Sequence, residues 1–76
     1  MNKARREALE AVVKGMSDLV SQIEDLMGEE QEYLDNMPES LQGGEKGERA
    51  QLAIDAMQAA LDSLEDVFAS LEEAQA

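Results

Sequence analysis

The stretch Asn36-Met37-Pro38-Glu39-Ser40-Leu41-Gln42-Gly43-Gly44-Glu45-Lys46-Gly47 decides the fold, because it separates two long helical patterns. It contains the only proline and three of the five glycines of the chain. Pro38 has a fixed φ and pushes Met37 out of the helical region, so a preceding helix is expected to end near Asp35 or Asn36. The stretch is therefore predicted to be the corner of a helical hairpin.

The second half of the corner contains the signals for a new helix. Pro38 suits the first position of a short turn, and a turn over Pro38–Leu41 is expected to fold Met37 and Leu41 inward over the end of the bundle. Gly44 is a tolerated N-cap for a helix that begins near residue 45. Gly47 weakens the first turn of that helix, so its start could slip to residue 48.

The segment before the corner has three apolar positions in every heptad from Leu9 onward. We name them the Ile23 row, the Leu19 row and the Val20 row. In that order they contain Leu9, Met16, Ile23, Glu30 and Met37; Val12, Leu19, Leu26 and Tyr33; Val13, Val20, Met27 and Leu34. This spacing is typical of one face of an amphipathic helix. It predicts a helix over about residues 3–36, about 50 Å long.

The segment after the corner repeats this pattern. Its rows are named the Leu64 row, the Ala60 row and the Leu61 row. In that order they contain Ala50, Met57, Leu64 and Leu71; Ala53, Ala60, Val67 and Ala74; Ile54, Leu61 and Phe68. The small side chains of the Ala60 row would let another helix approach closely. A second helix is predicted over about residues 45–73.

The predicted fold is an all-α antiparallel hairpin of two long helices, in one domain over residues 1–76 with a corner at 37–44. Two apolar positions per heptad are enough to pack two helices against each other, so a two-helix hairpin leaves part of a three-position face uncovered. The simplest cover for the remainder is a second copy, giving a four-helix bundle, and a helix of a different protein is the alternative. The predicted oligomer core is Leu9, Val12, Met16, Leu19, Ile23, Leu26, Ile54, Met57, Leu61, Leu64, Phe68 and Leu71.

The composition limits how this small domain can be stabilised and where it works. A chain of 76 residues without cysteine or histidine has neither disulfides nor a zinc site, so helix packing and oligomerisation remain. No apolar run reaches signal-peptide length or the roughly 18 residues of a membrane span. The expected location is the cytoplasm.

The net charge of −12 argues against a nucleic-acid partner and against an acidic membrane surface. The charge is uneven, because residues 24–41 contain seven acidic residues and no basic one. This concentration of negative charge favours a basic partner, or only keeps the protein soluble.

Catalytic and metal-binding patterns are missing from the chain. None of the five serines has a histidine to activate it, so the protein is expected to be no enzyme and to use no cofactor. The cluster Glu29-Glu30-Gln31-Glu32 has the wrong spacing for a calcium loop, so no metal site is expected. Glu30 interrupts an apolar row; it marks a place where the row is exposed, or an inward acid paired with Lys46 or Arg49.

The run Tyr33-Leu34-Asp35-Asn36-Met37-Pro38-Glu39-Ser40-Leu41-Gln42-Gly43 resembles a pattern of small, largely uncharacterised bacteriophage and prophage proteins. In these, Tyr-x-x-Asn-Met-Pro-Glu-x-Leu-Gln precedes an acidic amphipathic helix. This chain has Gly44 where a serine cap is expected and Gly47 where an aromatic is common. The resemblance implies a bacterial host and an activity based on binding, including inhibition of host defence proteins and sequestration of nucleotide signals.

The preferred hypothesis is a non-catalytic interaction protein that binds and inhibits a host defence macromolecule, with the corner and the acidic faces as the contact surface. The first alternative is an oligomeric sponge for a nucleotide signal, in which Tyr33 stacks on a base and Lys46, Arg49 or the basic residues near the N-terminus hold phosphates. The second is a structural or scaffolding subunit. The predicted binding residues are Tyr33, Asn36, Met37, Pro38, Glu39, Leu41, Gln42, Lys46 and Arg49.

Overall fold

The computed structural model describes all 76 residues and contains three helices and no strand. Helix α1 spans Lys3–Asp35, α2 is the single turn Glu39–Gln42, and α3 spans Glu45–Gln75. The two long helices pack against each other along a molecule with extents of 58 × 16 × 12 Å. The predicted all-α helical hairpin is confirmed.

The helix ends differ from the predicted ones by one or two residues. At the start of α1, the side chain of Asn2 accepts a hydrogen bond from the backbone N–H of Arg5 at 2.8 Å. The helix ends at Asp35, the first of the two residues predicted for its end, and Asn36 is its cap. Helix α3 continues to Gln75, two residues beyond the predicted end.

The seam between the long helices is built from two rows of each helix. On α1 these are the Ile23 row and the Val20 row, and on α3 the Leu64 row and the Leu61 row, all of them half-buried or buried. They repeat at alternating steps of three and four residues, which is the spacing that keeps one stripe of a helix against its neighbour. The Val20 row is absent from the predicted core, although it lies in the seam over its whole length.

Three residues of the predicted core lie outside the seam. Val12, Leu19 and Leu26 are 52%, 56% and 57% exposed. The hairpin therefore leaves this row uncovered, and its burial in an oligomer stays a prediction. Few residues of the seam are fully buried. The buried apolar residues are Ala50 and Ile54, with 2% and 9% of their surface exposed.

The two sides of the seam differ in polarity. Glu24, Gln58 and Glu65 line a groove on one side, together with seam residues. Tyr33 and Lys46 line a groove on the other side. Tyr33 belongs to the Leu19 row, and Lys46 lies seven residues before Ala53, the first residue of the Ala60 row. The Leu19 row and the Ala60 row therefore lie on this second side of the seam.

The register of the two rows follows from the antiparallel direction of the helices. A step of seven residues back from Tyr33 along α1 corresponds to a step of seven forward from Lys46 along α3. Leu26 therefore lies level with Ala53, and Leu19 with Ala60. We call the surface formed by the Leu19 row and the Ala60 row the Leu19–Ala60 face.

Candidate binding site at the corner

One side chain of the short helix α2, that of Gln42, forms hydrogen bonds with the backbone at and just after the end of α1. The Nε2 atom of Gln42 donates hydrogen bonds to the backbone carbonyls of Met37, at 3.0 Å, and Leu34, at 3.3 Å. Gln42 is half-buried, as is Met37. Both predicted binding residues therefore point into the fold, and their visible role is to hold the corner together.

Pro38 starts the turn of helix from its N-cap position. Its carbonyl accepts the backbone N–H groups of Leu41 and Gln42, at 2.8 and 3.2 Å. The turn predicted over Pro38–Leu41 is thus present, as a single helical turn. The prediction that Leu41 folds inward is wrong, because 54% of its surface is exposed. The hydrogen bonds of Gln42 close this end of α1 instead.

Gly47 lets the backbone of α2 lie directly on the first turn of α3. A Cβ atom at this position would lie 1.9 Å from the carbonyl oxygen of Gln42 and 2.8 Å from its Cα. Gly47 is buried, and α3 begins at Glu45, so the helix start does not slip to residue 48. The only signal for this contact in the sequence is a glycine in a position that weakens a helix.

Three predicted binding residues share one groove. Tyr33, Lys46 and Arg49 line it, together with Glu30 and Ala50, and its volume is about 270 Å³. The groove is open to solvent, and half of the Tyr33 surface is exposed. It combines an aromatic ring with two cations, which is the set of groups required to stack on a base and hold a phosphate.

Carboxylates reduce the positive charge of this groove. Arg49 donates to the carboxylate of Glu45, one turn earlier in α3. Glu30 lies in the groove wall, half-buried, and forms no ion pair. The predicted pairing of Glu30 with Lys46 or Arg49 is therefore not formed. Lys46 has no carboxylate within ion-pair distance and is the free cation of the groove.

The remaining predicted residues form the tip of the corner. Asn36, Pro38, Glu39 and Leu41 are all exposed. None of their side chains makes a hydrogen bond that holds the fold, since the contacts of the turn run through Gln42 and the backbone. The nine predicted residues thus separate into the groove, the exposed tip and the inward pair Met37 and Gln42.

A second groove lies on the polar side of the seam and was not predicted. It has a volume of about 320 Å³ and exposes parts of the seam residues Met27 and Phe68 between Glu24 and Glu65. No cluster of three or more acidic side chains is arranged to hold a metal ion. None of the helices contains an apolar segment of the length needed to cross a membrane.

Comparison with known proteins finds no matching family model, no matching curated protein and no matching solved structure.

Proposed function

We propose that this protein is a non-catalytic interaction protein of phage or prophage origin, which binds a host macromolecule through the tip of its corner and inhibits it. The partner surface that fits best is a basic protein surface with an apolar pocket. The origin and the inhibition rest on the resemblance of residues 33–43 given in the sequence analysis. Contact through the tip is supported by Leu41, which is 54% exposed, and by the exposed acidic Glu39 on the same turn, because the hydrogen bonds of this turn use neither side chain. Conformational freedom is already restricted there, so little is lost on binding.

The charge around the tip supports a basic partner. Glu32 and Asp35 lie in the last turn of α1 and Glu39 lies on the tip itself, whereas Lys46 and Arg49 offset the acidic residues in the first turn of α3. Acidic residues close in sequence to an exposed apolar side chain steer a basic surface toward it and leave the apolar contact to hold the complex.

The test separates recognition by the tip from its role as a turn. A triple variant Asn36→Ala, Glu39→Ala, Leu41→Ala removes the exposed side chains and keeps Gln42. Capture from a bacterial host lysate, identification of the captured protein by mass spectrometry, and titration of that purified protein measure binding. The triple variant is expected to lose binding at least tenfold while its melting temperature changes by a few degrees at most.

The matched control is Gln42→Ala, which is expected to lower stability and to retain binding at temperatures where the protein is folded. Undiminished binding by the triple variant would exclude the tip as the contact surface. Inhibition is tested separately, by the activity of the purified partner with and without the hairpin.

A second candidate function is a nucleotide sponge, and the groove supports it because Tyr33, Lys46 and Arg49 lie together there. A nucleotide bound at 100 times its dissociation constant would raise the free energy of unfolding by about 2.7 kcal/mol. A panel of mononucleotides, dinucleotides and cyclic nucleotides is therefore screened by thermal melting. A rise in melting temperature that disappears in Tyr33→Ala and persists in Leu41→Ala would favour the sponge. If no nucleotide of the panel raises the melting temperature, the sponge is excluded.

A further inference from the structure

One side of the hairpin is almost free of acidic residues, although the chain has 18 of them and a net charge of −12. No acidic residue occurs in the Leu19 row or in the Ala60 row. The next positions outward on this side are small or neutral over most of their length. They are Ala8, Gly15, Gln22 and Glu29 on α1, and Arg49, Ala56, Ser63 and Ser70 on α3.

The opposite side of the seam has more acidic residues. There α1 presents Glu10 and Glu24, and α3 presents Glu65 and Glu72, at the positions that flank the seam. Two molecules of this chain repel each other wherever their acidic surfaces meet. The Leu19–Ala60 face is therefore the one long surface on which two copies can meet without bringing rows of carboxylates together.

The two rows of this face have complementary sizes. The Leu19 row is large and more than half exposed at Leu19 and Leu26. The Ala60 row is small at the same levels, with Ala60 beside Leu19 and Ala53 beside Leu26. A two-fold rotation about an axis parallel to the helices places the Leu19 row of each copy on the Ala60 row of the other, so one face supplies both the ridge and the groove.

The size of the face is of the order that a stable dimer needs. The broad side of the hairpin measures 58 Å by 16 Å, which limits the area that each copy can bury there to about 900 Å², and stable interfaces bury roughly 800 Å² per partner. The outward positions allow a close approach, because Gly15 has no side chain and Ala8 and Ala56 have small ones.

We infer that a second copy of this chain covers the Leu19–Ala60 face, with α1 of each copy on α3 of the other, forming an antiparallel four-helix bundle. This arrangement places Tyr33 at the level of the partner's Lys46 residue and closes the open side of the groove. The inference does not depend on what the tip of the corner binds.

The first test uses one substitution at two exposed leucines. Leu19→Glu brings two carboxylates into the centre of the interface. Leu52→Glu makes the same change at a residue that is 67% exposed on the outer surface of α3. Sedimentation equilibrium is expected to give twice the 8.3 kDa chain mass for the parent and for Leu52→Glu, and at least a tenfold weaker dimer for Leu19→Glu. A monomeric parent at 100 μM, or an unweakened Leu19→Glu dimer, would overturn the inference.

The second test does not depend on whether Leu19→Glu folds. The chain has no cysteine, so single cysteines report contacts between copies without background. Under mild oxidation, a mixture of Leu19→Cys and Ala60→Cys proteins is expected to form the mixed disulfide well above the level given by Leu52→Cys mixed with Ala60→Cys. Equal levels in the two mixtures would overturn the inference, and self-pairing of Leu19→Cys would overturn the placement of α1 on α3.

Discussion

Gly47 lies so close to Gln42 that no side chain fits between them: a Cβ atom on Gly47 would stand 1.9 Å from the Gln42 carbonyl oxygen. The atoms in the way belong to the backbone of α2, so they cannot move aside as the end of a flexible side chain could. The corner thus rests on a backbone contact between its short helix and the first turn of α3.

Gly47→Ala is expected to destabilise the fold by about 1–3 kcal/mol through overpacking, although alanine has the higher helix propensity. Gly28→Ala is the matched control, because Gly28 lies within α1, away from the Leu19–Ala60 face, with nothing within 4 Å of an added Cβ. It is expected to stabilise by about 0.5–1 kcal/mol. Urea denaturation gives both free energies. A gain in stability at both glycines would show that the corner does not rest on α3 at Gly47.

Gln42→Ala removes the hydrogen bonds from α2 to Leu34 in the last turn of α1 and to Met37 in the connection, and leaves both carbonyl groups without that donor. The expected loss is about 1 kcal/mol or somewhat more. Gln58→Ala removes an exposed bond to Asp62 within α3 and is expected to lose only a few tenths of a kcal/mol. Equal losses in urea denaturation would contradict a structural role for Gln42.

Asn2→Ala removes the side-chain cap of α1, whose Oδ1 atom lies 2.8 Å from the Arg5 nitrogen. The expected loss is about 1 kcal/mol, accompanied by lower helicity in circular dichroism because the first turn frays. Asn2→Ser retains a capping oxygen and is expected to keep most of the stability. If serine and alanine behave alike at this position, the cap does not contribute.

Leu64→Asp places a carboxylate in the seam, where Leu64 is half-buried in the row that faces α1. No basic side chain of the seam can pair with it, so the free energy of unfolding is expected to fall by several kcal/mol. The hairpin is then expected to unfold. Leu52→Asp, at a residue 67% exposed, is expected to change stability by less than about 0.5 kcal/mol. Full helicity in Leu64→Asp would show that this row does not face α1.

The two helices and the corner could be predicted because heptad spacing and Pro38 act locally. Three neighbouring apolar rows on each helix, however, do not say which two face the partner helix. The rows of α3 decide it: Ile54, Leu61 and Phe68 bury far more apolar surface than the alanines of the Ala60 row, so the hairpin closes on the Leu61 side. In antiparallel packing this choice also leaves the Leu19 row outside.

The contacts of the corner could not be predicted, because they depend on where α2 lies after folding. Gly47 is a poor helix residue when only its own segment is considered, and the reason for a glycine there is the backbone of Gln42. Gln42 itself was assigned to binding because it is a polar residue in a loop. Its inward direction is set by the carbonyls of Leu34, in α1, and of Met37, just after it, and the sequence pattern does not show these partners. The groove residues Lys46 and Arg49 were selected for their charge, and the structure brings both beside Tyr33.

The unequal sides of the seam also limit how far hairpins can assemble. A hairpin with apolar rows on both sides would present a fresh surface after each addition and could grow into an open filament. Here Glu24 and Glu65 stand on the side that a third molecule would have to use. In the dimer inferred above, growth along that side would stack carboxylates from successive molecules, so the acidic residues would limit each chain to one neighbour.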